Sequence, residues 1–163
     1  MRRRFYTSPI KVTSAHFIAT PWHGLRNGSG SPAHRKGHAH ERRVAEHLEG
    51  NEWVVYGPWI EYCTANGRIS TCQPDFLVFN PSRGTIVILE AKLRHCPEAY
   101  FQLRNLYAPL LKFLFPAWEI RLQEVVRWYD RLEHFPGEHV LREKLLDAPP
   151  PHQIGVHIFG DAT

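Results

Sequence analysis

The feature that most constrains the fold is an apolar run, TIVILEAK, over residues 85–92. Both faces of a strand built from this run are apolar, which is typical of a strand covered on both sides. The run ends with Glu90 and Lys92, which share one face because residues two apart in a strand point the same way. Charges in such a place need partners or a task. The run therefore predicts an α/β fold with a charged site in its central sheet.

Periodicity and turn residues predict the elements around this strand. They are a helix over 33–49, strands over 53–62, 69–79, 85–92 and 118–128, a helix over 97–114, a short helix over 138–147 and an edge strand over 154–159. Gly57-Pro58 is expected to break or bulge the first strand, and Asn66-Gly67 is typical of a hairpin turn. Pro109 is expected to kink the second helix. Residues 1–19 form a short strand or an irregular arm.

Three carboxylates are expected to converge on this sheet. Asp75 follows Pro74 in the strand over 69–79, and a turn over 80–84 would bring Asp75 beside Glu90. Glu41 lies on the small or apolar stripe of the helix over 33–49, which would pack on the sheet. Carboxylates so close together repel one another unless one is protonated or a cation lies among them. Oxygen ligands of this kind favour Mg²⁺ or Mn²⁺.

The set Pro74-Asp75…Glu90-Ala91-Lys92, with Glu41 upstream, resembles the PD-(D/E)XK nuclease superfamily. The resemblance covers about residues 33–128. It implies a restriction-endonuclease-like αβββαβ core, with a central mixed four-stranded sheet flanked by helices. It also implies that Asp75, Glu90 and Glu41 bind Mg²⁺ or Mn²⁺ and that Lys92 assists the nucleophile. The products would carry 5′-phosphate and 3′-hydroxyl ends.

The helix over 97–114 carries Gln102 and Tyr107, and it is similar to the Gln/Tyr motif of the RecB-like and lambda-exonuclease-like branch. The spacing differs, because family members commonly place these residues four apart and here they are five apart. Leu106 occupies the expected tyrosine position. We predict that Gln102 belongs to the catalytic set and that Tyr107 contacts DNA. Gln102 would orient a nucleotide or the attacking water, or it would join the helix to the sheet by a hydrogen bond.

The charges are unevenly distributed along the chain. Residues 1–43 hold nine Lys and Arg and one acid, a net charge of +8, whereas residues 44–163 hold eleven and fifteen, a net charge of −4. A basic segment on an acidic body is typical of a polyanion partner, and a solvated tail is the plainer alternative. The residues predicted to contact DNA in the first helix are Arg35, Lys36, His38, Arg42 and Arg43. His34, His38 and His40 would touch phosphates or face solvent, and zinc binding by His34 and His38 is an alternative.

Composition limits the compartment and the domain count. The chain has 163 residues, with three cysteines that form no C-x-x-C pair, which favours a reduced cytoplasmic setting. No apolar run approaches the length of a membrane span, and no secretory signal is expected. We predict a basic arm and loop over 1–32 and one nuclease domain over 33–163, of which 129–163 is a C-terminal extension.

The sequence thus predicts a Mg²⁺- or Mn²⁺-dependent deoxyribonuclease. Its small size favours a structure- or end-directed enzyme of a phage or mobile element, acting in the host cytoplasm, over a restriction enzyme. DNA, double- or single-stranded, is the expected partner, and a homo-oligomer stays open. The alternatives are a Holliday-junction resolvase-like endonuclease, a non-cleaving DNA-binding module on a nuclease-like fold, and an enzyme acting on a small phosphorylated substrate.

Overall fold

Two β-sheets, one of six strands and one of three, carry most of the regular structure in the computed structural model. The structure describes residues 8–19, 32–128 and 138–159, without the side chains of residues 32–35 and 138. The elements in chain order are β1 (Val12–Ile18), α1 (Pro32–Leu48), β2 (Val54–Tyr56), β3 (Trp59–Thr64), β4 (Ile69–Cys72), β5 (Phe76–Asn80), β6 (Thr85–Arg94), α2 (Pro97–Phe101), a π-helical turn (Gln102–Tyr107), α3 (Ala108–Leu114), β7 (Glu119–Trp128), β8 (Glu138–Arg142) and β9 (Gln153–Ile158).

The larger sheet is mixed, with the strand order β2-β5-β6-β7-β9-β8. Strands β2, β5 and β6 pair antiparallel, whereas β6, β7, β9 and β8 pair parallel. The prediction of a mixed sheet flanked by helices in an α/β protein is confirmed. The predicted number of four strands is too small, because β9 and β8 extend the sheet beyond β7.

One face of the larger sheet is covered by α1. Val44 and Leu48 are buried one helical turn apart and pack in a cluster with Phe76, Val78 and Leu89. The helix ends at Leu48, and Gly50 follows with a φ of +87°, a conformation that glycine adopts without strain. The predicted helix over 33–49 is therefore confirmed to within one residue at each end.

The other face is covered by α2, the π-helical turn and α3. Leu103, Leu110 and Leu111 are fully buried against a cluster that includes Ile86 and Ile88. The predicted helix over 97–114 is confirmed in its extent. Its interior differs from the prediction, since the helix widens into the π-helical turn directly before the turn that holds Pro109.

The smaller sheet has the order β1-β3-β4 and is antiparallel throughout. The break expected at Gly57-Pro58 separates β2 and β3, which lie in different sheets. The predicted strand over 69–79 is wrong, because it is two strands, β4 and β5, separated at residues 73–75. Pro74 has no N–H group to continue a ladder, which accounts for the interruption. The hairpin turn is confirmed, with Gly67 at a φ of +78°.

Two C-terminal predictions are wrong. Residues 138–142 form β8 and not a helix, and β9 is an interior strand that lies between β7 and β8. The parallel pairing of β8 with β9 supplies backbone partners that no local helix signal reveals.

The arm over 1–32 and the extension over 129–163 lie partly outside the described residues, and their division from the core stays a prediction. Within the arm, β1 pairs with β3, so this part of it belongs to the fold. No helix in the described ranges is both long and apolar enough to cross a membrane. Cys63, Cys72 and Cys96 are free thiols.

Candidate active site

Asp75, Glu90 and Lys92 lie on the face of the larger sheet that α2, the π-helical turn and α3 cover. They are at the end of the sheet where β5 begins and β6 ends. The antiparallel register pairs Phe76 with Leu89, so its next step sets Asp75 opposite Glu90. Asp75 precedes β5 and is not within it, which corrects its predicted strand position. Opposite residues in such a pair point to the same side, as do Glu90 and Lys92. Asp75 thus lies beside Glu90, and Glu90 and Lys92 share a face, as predicted, while the third predicted carboxylate, Glu41, forms no three-residue ligand group with them among the described residues.

Hydrogen bonds hold two of these side chains and leave part of the third unused. The Ala91 N–H donates to Asp75 Oδ2 at 2.8 Å, and Lys92 Nζ lies 3.1 Å from Glu90 Oε1. Glu90 Oε2 is buried and forms no well-aligned hydrogen bond, although Asp75 lies close enough to interact with the Glu90 carboxyl group through its backbone and side chain. A buried carboxylate oxygen without a partner is costly for the fold, and it is available to a ligand.

The electrostatics of the carboxylates follow from burial and mutual repulsion. Burial, and then the charge of Glu41, raise the pKa of Asp75 to about 6. Burial, and then the charge of Asp75, raise the pKa of Glu90 to about 8. Burial alone would lower the pKa of Lys92, but Glu90 and Asp75 outweigh it, and the pKa is raised. The site therefore holds protons that a cation would displace.

Glu41 approaches the site from α1, on the other side of the sheet. Its side chain is 42% exposed, and its Oε2 lies 3.8 Å from His38 Nδ1. The charge of Glu41 acts on Asp75, so the two carboxylates are near each other. The predicted stripe holds at Val44 and Leu48, which are buried, while Glu41 is at its exposed edge.

The donor set fits a hard divalent cation held by a few carboxylates. Among the described residues, no three His, Cys, Asp or Glu side chains converge as a complete ligand set. Mg²⁺ commonly binds through one or two carboxylates and keeps several waters, so Asp75 and Glu90 meet its minimum need. The unpartnered Glu90 Oε2 is the observation that favours such a ligand. Glu41 would complete the set directly or through water.

The π-helical turn places Gln102 and Tyr107 at its two ends. The Ala108 N–H donates to the Leu103 carbonyl, a bond across five residues that is characteristic of this helix type. Residues five apart in a π-helical turn align much as residues four apart do in an α-helix. The five-residue spacing is thereby reconciled with a shared helix face. Gln102 is half-buried, and its Oε1 is buried without a hydrogen-bond partner.

The predicted DNA contact of Tyr107 is wrong for this structure. Its ring is 3% exposed in the core cluster, and its hydroxyl donates to the Gln73 carbonyl at 3.4 Å. Burial, and then the charge of Glu90, raise its pKa. Tyr107 thus supports the segment before Asp75 from within the core.

The predicted DNA-contacting residues of α1 are mainly at the surface. Lys36, His38 and Arg42 are exposed, and Arg43 is half-buried. The side chains of Arg35 and His34 lie outside the described set, which leaves the zinc alternative for His34 and His38 untested. The prediction that His40 touches phosphates or faces solvent is wrong. His40 is 1% exposed, and its Nε2 lies 3.0 Å from the Val125 carbonyl.

A buried pair, Glu124 and His95, lies beside Glu90 in the sheet and was not predicted from the sequence. Glu124 on β7 is in register with Glu90 and is hydrogen-bonded to His95, and both side chains are buried. Burial raises the pKa of Glu124, and the bond with His95 opposes this shift. The signal was its alternation with Ile120 and Leu122, which places Glu124 on an apolar face. Three adjacent strands therefore each bring one carboxylate to this part of the sheet.

The arrangement can hold a cation at two carboxylates and present an ammonium group beside it. The Lys92 side chain is 26% exposed and that of Glu90 is 3% exposed, so Lys92 is the more accessible member of the pair. An anion arriving from solvent would meet Lys92 first. Comparisons with protein-family models, with curated proteins and with solved structures found no match to this chain.

Proposed function

We propose that the chain is a Mg²⁺- or Mn²⁺-dependent nuclease that hydrolyses DNA phosphodiester bonds. The observation that carries the proposal is the buried, unpartnered Glu90 Oε2, with Asp75 opposite and Lys92 Nζ at 3.1 Å from the other oxygen. An oxygen left in this state is costly for the fold unless a ligand satisfies it. A buried and a half-buried carboxylate side by side, both with raised pKa values, are typical of a functional site.

The order of the elements supports the PD-(D/E)XK resemblance. Helix α1 is followed by β2, β5 and β6, then by the helical layer, then by β7, and these four strands are adjacent in the sheet. Their pairing is antiparallel, antiparallel and parallel, as a mixed core of this kind requires. Strands β3 and β4 enter as an insertion between β2 and β5. On this proposal, the restriction-endonuclease-like core is β2, β5, β6 and β7 with its helices.

Each residue has a role in the proposed hydrolysis. Asp75 and Glu90 hold the cation, and Glu41 contributes a further carboxylate at the exposed edge. A bound divalent cation supplies a water of lowered pKa and offsets charge on the phosphate. Lys92 donates hydrogen bonds to the nucleophile or to the phosphoryl oxygens and offsets the charge that develops there. Gln102, in the helical layer on that face of the sheet, would orient water or a nucleotide.

DNA is the proposed substrate because of the charges on α1. Lys36 and Arg42 are exposed on the helix that also carries Glu41. Cations on this helix would bind the phosphate backbone without reading bases. On this proposal, α1 supplies general affinity for the phosphate backbone, and Lys92 meets the phosphate that is cleaved.

A cleavage assay tests the proposal. Supercoiled, linear, single-stranded and branched DNA are each incubated with Mg²⁺, Mn²⁺ or EDTA. We expect metal-dependent cleavage by the wild type and a loss of about a hundredfold or more in Asp75→Asn and Lys92→Ala. Glu52→Gln, an exposed carboxylate away from the site, is the control and keeps wild-type activity.

Each outcome of this assay has one interpretation. Cleavage that persists in both variants would contradict the site, and DNA binding by the wild type without any cleavage would favour the non-cleaving module. Preferential cleavage of branched DNA would identify the resolvase-like form of the proposal.

A further inference from the structure

A cavity lies on the α1 face of the larger sheet, beyond the point where α1 ends. Its volume is about 540 Å³, which is within the usual range for small-molecule sites. Its lining includes Val78, Thr85 and Val87, which are themselves nearly buried. Strand β5 has five residues and is roughly 17 Å long. It begins beside Asp75 and ends with Asn80 at this cavity. The cavity is therefore separate from Asp75 and Glu90, and it is on the opposite face.

An exposed tryptophan lines one side of the cavity. Trp53 is 54% exposed, and hydrogen bonds fix both the backbone N–H and the backbone carbonyl of this residue. Its N–H donates to Asn51 Oδ1 at 3.1 Å, and its carbonyl accepts from the Phe79 N–H at 3.0 Å. A large flat apolar surface on a fixed backbone is suited to stacking against a planar ring.

Arg83, an arginine without a carboxylate partner, also lines the cavity. Within the described residues, no acidic side chain pairs with Arg83, whereas Arg121 is occupied by Glu119 Oε1 at 2.5 Å and by the Ala148 carbonyl at 3.1 Å. The Arg83 N–H and Ser82 Oγ both donate to Asn80 Oδ1, which holds the turn between β5 and β6. Arg83 is therefore a cation on a fixed turn that is available to an anionic group.

A third lining residue, Leu146, has a backbone conformation that non-glycine residues rarely adopt. Leu146 has a φ of 70°, and its N–H donates to Gln123 Oε1 at 2.8 Å. Gln123 is fully buried, and its Nε2 donates to the Lys144 carbonyl at 3.1 Å. A buried glutamine thus holds this part of the lining in a strained shape, and such strain is concentrated at binding sites. Asp147 follows as an acceptor in the lining.

We propose that this cavity binds a nucleotide, with the base on Trp53 and the phosphate at Arg83. A planar ring surface, a cation and an acceptor at Asp147 in one lining match the base, phosphate and sugar hydroxyl or amino groups of that class. The ligand is either a free mononucleotide or one nucleotide of a strand, and both present the same chemistry. The proposal does not depend on hydrolysis at Asp75 and Glu90.

Calorimetric titration of the full chain in EDTA tests this proposal. The probes are adenosine 5′-monophosphate, adenosine, ribose 5-phosphate and a short oligodeoxyadenylate. We expect adenosine and ribose 5-phosphate each to bind about tenfold or more weakly than the intact nucleotide. Equal affinity for the oligonucleotide and mononucleotide identifies a free-nucleotide site, whereas stronger oligonucleotide binding identifies a site for one nucleotide of a strand. Both results support the proposal.

Matched variants locate the binding. Arg83→Gln and Trp53→Leu are each expected to weaken nucleotide binding by about tenfold, since one removes the cation and the other the stacking surface. Arg68→Gln and Trp128→Leu remove an exposed arginine and an exposed tryptophan elsewhere and keep wild-type affinity. Trp53→Phe retains a ring and is expected to lie between Trp53→Leu and the wild type.

Two results would overturn the proposal. One is a wild-type protein that binds neither the mononucleotide nor the oligonucleotide. The other is binding that Arg83→Gln and Trp53→Leu weaken no more than the two controls do. Because binding is measured in EDTA, a failure of DNA cleavage leaves either reading of this experiment unchanged.

Discussion

At the scale of single residues, Glu90 combines a cost to the fold with a use in the site. Its carboxylate is buried beside Asp75, and one of its oxygens has no partner. Lys92 offsets only part of that cost, through one contact at 3.1 Å. On the proposed function, a bound cation would satisfy this oxygen.

The metal-free protein should lose stability as pH rises, and Glu90→Gln should reduce that loss. The pKa of Glu90 rises from 4.5 to about 8 on folding, so between these values the folded state binds more protons than the unfolded state. The free energy of unfolding then falls with rising pH across this window. We expect Glu90→Gln to be more stable than the wild type at pH 8 by on the order of 2 kcal/mol, and similar at pH 4.5.

Urea unfolding in EDTA at several pH values measures this effect. Glu52→Gln, an exposed carboxylate, is the control and should follow the wild-type curve. A Glu90→Gln curve that stays parallel to that of the wild type would show that Glu90 is not strained by its charge.

Three of the site's residues were predictable from sequence because they are charged residues in or next to apolar strands. Glu90 and Lys92 interrupt an apolar strand, and Asp75 follows a proline next to a strand. The pairing of Glu124 with His95 was not predictable in this way, since it depends on the register of β6 with β7. The burial of Tyr107 likewise depends on helix packing that periodicity alone leaves open.

At the scale of elements, the π-helical turn is the feature that reconciles the helix with the site. It keeps Gln102 and Tyr107 aligned despite the additional residue between them. Leu103 and Leu106 within the turn remain buried, so the wider turn costs the core little. Such turns arise where one residue is inserted in an α-helix, and they are frequent at functional sites.

Deletion of Arg104 should convert this turn to an α-helix without disturbing the residues on either side. Arg104 is half-buried, and its guanidinium donates to the Pro151 carbonyl. Its removal would leave the tyrosine four residues after Gln102 on the same face. We expect a folded protein with DNA cleavage within about threefold of the wild type, measured by circular dichroism and by the cleavage assay.

Deletion of Lys112 from α3 is the matched control for that experiment. It would rotate the residues that follow by about 100°, because no wider turn is there to absorb the change. We therefore expect the control to lose thermal stability. Equal damage from both deletions would show that the π-helical turn is required for the fold itself.

The elements differed in how well sequence predicted them, and the reason is where their signals lie. Helix α1 carries its stripe and its stop at Gly50 within its own segment. Strand β8, in contrast, was predicted as a helix, because its partner β9 lies beyond an intervening proline-rich turn. The split between β4 and β5 was visible at Pro74, but which sheet each strand joins depends on distant partners.

At the scale of the whole molecule, the charge asymmetry between residues 1–43 and 44–163 is borne in part by α1. Lys36 and Arg42 are exposed there, while the acids at Asp75, Glu90 and Glu124 lie in the sheet. Exposed cations on one helix of a chain whose carboxylates are drawn into the fold suit a substrate that is itself a polyanion.

DNA binding should therefore weaken steeply with salt, and α1 variants should reduce the slope. We expect Lys36→Gln and Arg42→Gln each to lower the slope of log K against log salt by about 0.9, as one phosphate contact is lost. Fluorescence anisotropy with labelled duplex in EDTA measures it. Arg68→Gln, in the turn between β3 and β4 of the smaller sheet, should keep the wild-type slope, and a loss there equal to that of the α1 variants would contradict the assignment.

The central claim is that Asp75 and Glu90 form a cation site, and Mn²⁺ binding measured by electron paramagnetic resonance tests it most directly. Protein is titrated with Mn²⁺ for the wild type, Asp75→Asn, Glu90→Gln and the control Glu52→Gln. We predict saturable binding in the wild type and the control, and affinity lowered by about tenfold or more in the other two variants. Absence of Mn²⁺ binding by the wild type, or equal affinity in all four proteins, would contradict the claim.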